Sequence, residues 1–312
     1  MRLCAVGIDL DEIVHYEGIH GIPSCEEFNA HAVYEKGLMR WRALAEELDI
    51  PCTFFAVGAN LTLDKNAMAI RLAHEEGHEI ANHTLDHLYC LTRLSREEVL
   101  AQIRGGSSAI EQVIGERPVG FRSPGYTITD SVYRVLEDEG LLYDSSVFPC
   151  PSYYGVKAAV LGWMKLRGRL SRTILDTPFV LCSPRRPYRV GKPYWKRGDG
   201  ILELPIQVTP FLRLPYFGTS LVLGGPKIGK NVAGLLTSMC LGEPVINLEF
   251  HGIDLLDQSD GLKSLASYQP DLRIDWQLKR QIFKETFHRI QKSGYTFLPL
   301  RGVAHRLCEE KQ

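Results

Sequence analysis

The segment that decides the fold covers residues 77–87 and reads Gly-His-Glu-Ile-Ala-Asn-His-Thr-Leu-Asp-His. Glycine is a common helix terminator, and the residues after it predict a short strand over 78–82. His83 follows this strand directly. His83 and His87 are four positions apart, so one helical turn would direct both imidazoles at a single divalent ion. With ten histidines in the chain, this spacing could also arise by chance.

Strands and helices alternate on both sides of this segment. Further strands are predicted over residues 3–8, 52–57, 119–121, 141–143, 245–250 and 295–300, the first two of them buried. Helices are predicted over residues 31–48, 66–76, 95–114, 130–139 and 275–293. The helix at 95–114 opens with Ser95 and Glu98 in the spacing of a capping box. We therefore expect one α/β domain over residues 1–312, with a parallel sheet or barrel wrapped by helices.

Residues 150–243 interrupt the alternation. They are rich in proline, glycine and aromatic residues and show no clear helical period after about residue 172. We interpret them as a large insertion that caps the barrel. Within it, residues 157–197 contain eleven lysines and arginines but a single acid, Asp176, a local net charge of +10.

The first part of this basic segment mixes bases with apolar residues. Between Lys157 and Arg172 these include Val160, Leu161, Trp163 and Met164. The pattern suits an interfacial helix on an anionic membrane, and it also fits a cap helix packed on the barrel with a solvated basic face, which we favour slightly. Both interpretations stay open, and Trp163 is a candidate substrate contact in either.

Composition excludes some classes of protein. The net charge of −1 and the pI near 6.8 argue against a nucleic-acid partner. The eight cysteines show no metal-ligand spacing and predict reduced thiols. No apolar run approaches the roughly 20 residues of a membrane span, and the first nine residues do not resemble a signal peptide. We expect a cytoplasmic protein, free or peripheral to the membrane.

Polar side chains follow four predicted strands at the point where each ends. They are Asp9, Asp11 and Glu12; His83 and His87; Arg122; and His251. The carboxyl ends of parallel strands share one edge, where active sites of such folds lie. Asp11 could complete a site of two histidines and one carboxylate that leaves positions open for water and substrate. Asp9, on the same side of the strand, could then act as a general base.

These motifs, in this order, resemble those of the polysaccharide deacetylases with a NodB-like domain, carbohydrate esterase family 4. The second family motif, His-Ser/Thr-x-x-His, is present in full as residues 83–87. The first corresponds to Gly-Ile-Asp-Leu-Asp-Glu at residues 7–12, where one residue separates two acids that are adjacent in most members. This departure leaves Asp11 and Glu12 as rivals for the carboxylate ligand, and we favour Asp11.

The remaining motifs supply candidate catalytic and substrate contacts. The third corresponds to Arg122-Ser-Pro124-Gly-Tyr126, and the resemblance implies that Arg122 pairs with Asp9. Pro124 and Tyr126 are candidate substrate contacts, and the Tyr126 backbone N–H could stabilise an oxyanion.

Two further residues complete the set of candidates. The fifth motif ends in His251, which would protonate the leaving amine. The fourth motif would supply Asp144 to orient His251, but its usual tryptophan is missing, so Asp144 could instead be a structural cap.

The resemblance implies a distorted (β/α) barrel and a metal-dependent hydrolase of carbon–nitrogen amide bonds. We expect deacetylation or deformylation of an N-acylated amino sugar, carried on a lipid or nucleotide. Zn²⁺ is the favoured metal, although two histidines and a carboxylate also bind iron, cobalt, nickel or manganese. Two alternatives stay open: a cyclic amide or imide hydrolase on the same fold, and a non-catalytic carbohydrate- or lipid-binding module.

Overall fold

A computed structural model describes residues 2–22 and 30–309 of the chain. Cys25 and the end of the predicted loop before residue 30 lie outside the described residues. Seven cysteines lie within them, and all seven are free thiols. The prediction of reduced thiols is therefore confirmed for these seven.

The described strands form one sheet. They are β1 (Leu3–Asp9), β2 (Thr53–Ala56), β3 (Glu79–Asn82), β4 (Gly120–Phe121), β5 (Tyr143–Asp144), β6 (Tyr188–Val190), β7 (Arg197–Glu203), β8 (Val245–His251) and β9 (Thr296–Phe297). Their order is β6-β7-β5-β4-β3-β2-β1-β8, and β9 also pairs with β1. All pairs are parallel except β6 with β7.

The sheet curls towards closure through a segment without strand geometry. After β7 the chain crosses to β8, where the Gln207 backbone N–H donates to the Asn247 carbonyl at 2.9 Å. The buried Asn247 side chain donates back to the Leu204 carbonyl at 2.8 Å. These bonds satisfy backbone groups that the sheet leaves unpaired at this gap. The result is the predicted distorted barrel.

Helices surround the barrel. They are α1 (Ile13–His20), α2 (Met39–Leu48), α3 (Asp64–Glu75), α4 (Arg96–Ile114), α5 (Asp130–Asp138), α6 (Pro151–Leu166), α7 (Gly218–Leu221), α8 (Gly225–Cys240), α9 (Trp276–Lys292) and α10 (Leu300–Glu309). A π-helical turn, Val33–Leu38, leads into α2. The predicted capping box at Ser95 is present at the start of α4. None of the helices in the described residues combines the length and apolar content that a membrane span requires.

Strand β1 is the centre of the core and is buried along its whole length. Val6 and Ile8 point to one side, into an apolar cluster that includes Trp41. Ala5 points to the other side, into a cluster with Phe55. Each buried aliphatic side chain contributes roughly 1.5–3 kcal/mol, so β1 is held firmly on both faces. It therefore places Asp9, at its end, in a fixed position.

The interval 150–243 differs from the prediction in two respects. The prediction that it lacks helical structure beyond about residue 172 is wrong, because α8 is a helix whose buried side includes Gly229, Ala233 and Cys240. These small residues give a weak apolar period, although they allow close packing on α9. In addition, β7 pairs with β5 inside the sheet. The interval is therefore only partly an insertion, with its first helix, α6, as the cap.

Candidate metal and catalytic site

The carboxyl ends of β1, β3, β4 and β8 meet at one edge of the sheet. In the strand register, Asp9 lies opposite His251, and Asn82 lies opposite Phe121. His83 and Arg122 are the residues that follow Asn82 and Phe121 in the chain. The predicted strand-end residues are thus brought together by the sheet itself.

Three of them converge as a possible metal site. Asp11 Oδ1 lies 3.2 Å from His83 Nε2 and 3.0 Å from His87 Nε2. All three atoms are buried, and none makes a hydrogen bond of normal geometry within the described residues. Buried polar atoms without a partner are costly, and two imidazole nitrogens with a carboxylate oxygen are a common donor set for Zn²⁺. The residues fit a divalent metal ion.

Glu12 is turned away from this group. Its carboxylate accepts hydrogen bonds from the backbone N–H groups of Val33 at 3.2 Å and Tyr34 at 3.4 Å. Burial raises the pKa of Glu12 to about 8. Of the two rival acids, the structure brings Asp11 to the histidines and uses Glu12 to hold the start of the π-helical turn.

His83 and His87 lie in a loop, so the predicted helical turn between them is wrong. The Asn82 side chain accepts from the Thr84 backbone N–H at 2.7 Å, and Thr84 Oγ1 accepts from the His87 N–H at 3.0 Å. Thr84 and His87 have φ of 68° and 52°, in the left-handed region. Such strained residues persist where the surroundings fix them, and they often mark functional sites.

Arg122 and Asp9 form the predicted pair. The Arg122 guanidinium donates to Asp9 Oδ1 at 2.6 Å and to Ser145 Oγ at 3.0 Å. It also lies over the Phe55 ring at 4.0 Å from the centroid. Both charged side chains are buried, so the pair fixes one oxygen of Asp9, and the other oxygen lies 3.9 Å from His83 Nε2.

His251 is held by two carboxylates that the sequence interpretation missed. Its Nδ1 lies 3.1 Å from Glu249 Oε1, and its backbone N–H donates to Asp254 Oδ2 at 2.9 Å. Burial opposes protonation, but the nearby carboxylates, led by Glu249, outweigh it and raise the pKa of His251 to about 9. Burial raises the pKa of Glu249 itself to about 7. The sequence feature that could have revealed Glu249 is its position two residues before His251, because alternate residues of a strand share one face.

Asp144 does not contact His251. It accepts from Ser146 Oγ at 2.7 Å and from the Ser146 backbone N–H at 3.1 Å. Burial raises its pKa, and the buried side chains of Glu203 and Tyr133 lie beside it. Of the two roles that the sequence left open for Asp144, its contacts therefore match that of a structural cap. Glu249, and not Asp144, is the carboxylate beside His251.

A cleft of about 390 Å³ opens over these groups. Its floor includes Asp9, Asp11 and His251, and its roof is the inner side of α6, including Leu161 and Met164. Trp163 is not part of this lining and is 52% exposed. The predicted substrate contact of Trp163 is thus absent, because consecutive residues of a helix point about 100° apart, and the turn that directs Met164 into the cleft directs Trp163 away from it.

Tyr126 contributes its side chain and not its backbone. Its hydroxyl lies 3.1 Å from His251 Nε2. Its backbone N–H, the expected oxyanion donor, is engaged with the Ser123 carbonyl at 3.1 Å in the turn that contains Pro124. Pro124 is buried there, where it supports the turn.

Lys157 is a further cleft residue that the sequence interpretation counted only as part of the basic segment. Its ammonium donates to the Gly125 carbonyl at 3.1 Å, beside Tyr126. Burial lowers the pKa of Lys157 to about 8. It places a cation within the apolar roof, close to the floor groups.

The roof is tied to α1. The Arg172 backbone N–H donates to the Gly18 carbonyl at 2.9 Å, and Ser171 Oγ donates to the Ile19 carbonyl at 2.6 Å. The Arg169 guanidinium donates to a further carbonyl of α1 at 2.6 Å. These bonds fix the end of α6 over the cleft.

Comparison with known proteins gives matches to deacetylases of polysaccharides. Residues 37–143 match the family model described as polysaccharide deacetylase. A peptidoglycan-N-acetylglucosamine deacetylase of Bacillus cereus is 33% identical over 97 residues, 31% of this chain and 44% of that protein. Chitin deacetylase 2 of Cryptococcus neoformans is 40% identical over 85 residues, 27% of this chain and 18% of that protein. The chain thus matches less than half the length of these curated relatives.

Solved structures match over a longer stretch. A polysaccharide deacetylase structure from Mycobacterium smegmatis aligns with a TM-score of 0.52 at 20% identity, covering 95% of this chain and 94% of that one. A carbohydrate esterase family 4 pseudoenzyme from Bacillus anthracis aligns with a TM-score of 0.50 at 11% identity, covering 97% of this chain and 65% of that one. At such low identity these matches concern the fold alone.

Proposed function

We propose that this chain, which matches the polysaccharide deacetylase family model over residues 37–143, is a metal-dependent hydrolase that removes an acetyl or formyl group from an N-acylated amino sugar. The observation that carries the proposal is the convergence of two sets of groups in one cleft. Asp11, His83 and His87 form one set. The Asp9–Arg122 pair and His251 form the other.

Asp11, His83 and His87 would hold the metal, and Zn²⁺ is our preferred candidate from the donor set. A divalent ion there would polarise the amide carbonyl and lower the pKa of a water molecule. Within residues 2–22 and 30–309, no hydrogen bond of normal geometry engages their ligand atoms, which supports this role.

Asp9 acts as the general base. One of its oxygens is fixed by Arg122, and the other is available to accept a proton from the attacking water. The water oxygen bonds to the acyl carbon, and the carbon–nitrogen bond then breaks.

His251 acts as the general acid. Its pKa of about 9 keeps the imidazole protonated at neutral pH, so it can donate to the departing nitrogen. Glu249 on Nδ1 and the Tyr126 hydroxyl on Nε2 set the orientation of the ring. The products are a free amine and a carboxylic acid.

The residues of the roof favour a substrate in which the sugar is attached to an apolar or anionic carrier group. Val160, Leu161 and Met164 give the cleft apolar walls, and Lys157 adds one cation. A polar polymer would gain little from such walls, whereas a sugar on a polyprenyl phosphate would use both features. We propose that the substrate is carried in this way.

We also propose that the protein works in a reducing compartment such as the cytoplasm. The support is the set of free thiols, which an oxidising compartment would tend to pair or modify. They are Cys4, Cys52, Cys90, Cys150, Cys182, Cys240 and Cys308.

The test is turnover by the Zn²⁺-loaded protein on a panel of N-acetyl and N-formyl amino sugars, free, polymeric, nucleotide-linked and polyprenyl-phosphate-linked. Mass spectrometry of the products distinguishes loss of an acetyl group from loss of a formyl group. We expect turnover by the wild type, none by Asp9→Asn and full turnover by the matched surface variant Asp138→Asn. Opening of a cyclic imide instead, or equal products from Asp9→Asn, would refute the proposal.

A further inference from the structure

The outer side of α6 carries a row of exposed apolar residues. Val160 and Trp163 are 48% and 52% exposed, and Leu166 and Leu170 are 89% and 81% exposed. Val160, Trp163 and Leu166 are three residues apart, which places them along one side of the helix, and the exposed Leu170 follows after the helix ends at Leu166. A soluble domain rarely leaves so many large apolar side chains exposed in one row without a partner.

Basic side chains flank Leu166, the last residue of α6 in this row, on both sides in the chain. Lys165 and Arg167 are exposed, and the Arg167 guanidinium lies 5.0 Å from the centroid of the Trp163 ring. Neither forms an ion pair with another residue in the described parts of the chain. The sequence has no acidic residue between Asp144 and Asp176. The outer side of α6 is therefore both apolar and positively charged.

We propose that this side of α6 binds the surface of an anionic membrane. Lipid headgroups of negative charge would pair with Lys165 and Arg167, and the apolar row would enter the boundary between headgroups and acyl chains. Tryptophan is favoured at this boundary because its ring is amphipathic. A protein partner would also cover apolar residues, but it would have to match two unpaired cations beside them.

The position of the cleft gives such docking a consequence. Val156 and Val160 lie at its mouth and are also 64% and 48% exposed. Contact of α6 with a membrane would bring this mouth to the lipid surface. The bonds between the end of α6 and α1 hold the helix in place, so docking needs no rearrangement of the barrel. The docking does not depend on the reaction that the cleft performs.

The test is binding of the full chain to vesicles of phosphatidylcholine, with and without phosphatidylglycerol, measured by co-sedimentation. We expect binding to the anionic vesicles, reduced by salt. The double variant Trp163→Ser with Leu166→Ser should bind at least about tenfold more weakly. Replacing Lys165 and Arg167 with glutamine should weaken binding about fivefold for each base.

Matched variants on other surfaces separate this effect from general changes in solubility. Met68→Ser and Leu235→Ser remove apolar side chains of similar exposure, 61% and 63%, from α3 and α8. Lys227→Gln with Lys263→Gln removes two exposed charges elsewhere. All of these should bind like the wild type.

Fluorescence gives an independent measurement of the contact. Brominated phosphatidylglycerol should quench part of the tryptophan emission of the wild type and much less of that of Trp163→Phe. Equal binding of wild type and the α6 variants, or no binding to anionic vesicles, would overturn the proposal. So would a dimer in solution that Leu166→Ser dissociates, because the row would then be an interface between two copies of the chain.

Discussion

The floor and the roof of the cleft are built in opposite ways. On the floor, Asp9, Arg122 and His251 are charged or titratable groups held by hydrogen bonds and ion pairs in the barrel. On the roof, α6 carries mainly apolar contacts and one buried cation, Lys157, and its far side is exposed. Burying charged groups costs desolvation free energy, and a fixed arrangement of such groups is needed where bonds would be made and broken. The roof would govern which molecule enters.

The largest effect should come from the metal ligands on the floor. Asp11→Asn removes a charged ligand, and we expect the affinity for Zn²⁺ to fall by more than about 100-fold. Mutating a residue that only hydrogen-bonds to a metal ligand typically lowers the affinity by about 10- to 100-fold, and losing the ligand itself should cost more. Glu12→Gln, its neighbour, should keep the metal. Metal content after dialysis, measured by mass spectrometry, checks this pair, and loss of metal from Glu12→Gln alone would contradict the assignment.

The next effect concerns His251 and depends on pH. The pKa of His251 is raised to about 9, so the alkaline limb of kcat/KM should lie near that value. Removing the Glu249 charge destabilises the imidazolium and lowers this pKa. In Glu249→Gln the limb should move to lower pH by about one unit, so activity on the alkaline side of the wild-type limb should be reduced about tenfold. An unmoved limb would show that another group titrates there.

Two glycine variants compare the packing of floor and roof. A Cβ on Gly106 of α4 would lie 2.4 Å from Asn82 Oδ1 and 2.9 Å from the Thr84 carbonyl oxygen, beside His83. Gly106→Ala should therefore destabilise the protein by about 1–3 kcal/mol. Gly155 of α6 has nothing within 4 Å of such a Cβ. Gly155→Ala should be neutral or stabilise by up to about 1 kcal/mol, and urea unfolding measures both.

The smallest effect should come from the roof cation. Lys157→Met removes the charge but keeps most of the apolar volume. We expect KM to rise several-fold for a phosphate-linked sugar and to change little for a neutral one, with kcat unchanged, since Lys157 would bind and not react. An equal loss of kcat on both substrates would give Lys157 a part in the chemistry.

The floor was largely predictable from the sequence because its residues stand at strand ends. Apolar runs located β1, β4 and β8, and the helix end at Gly77 located β3; parallel pairing then required their polar ends to meet. Glu249 escaped notice because it lies inside an apolar strand, where a single acid resembles an outward-facing residue. Its burial depends on the curvature of the sheet, which local pattern does not encode.

The roof was predicted in composition but not in orientation. Leu161, Trp163 and Met164 are all apolar, so the sequence could not say which of them faces the cleft. The phase of α6 is set by its contacts with the barrel and with α1. Helix α8 was missed for a related reason, since Gly229 and Ala233 are small and give a weak periodic signal.

The account depends on a metal ion at Asp11, His83 and His87 that serves amide hydrolysis at the floor. The most direct measurement is release of acetate or formate from an N-acylated amino sugar by chelator-treated protein as Zn²⁺ is added back. We predict no release at first, a rise that saturates at one ion per chain, and no rise with Asp11→Asn. Turnover that is unaffected by the chelator, or restored equally in Asp11→Asn, would contradict the account.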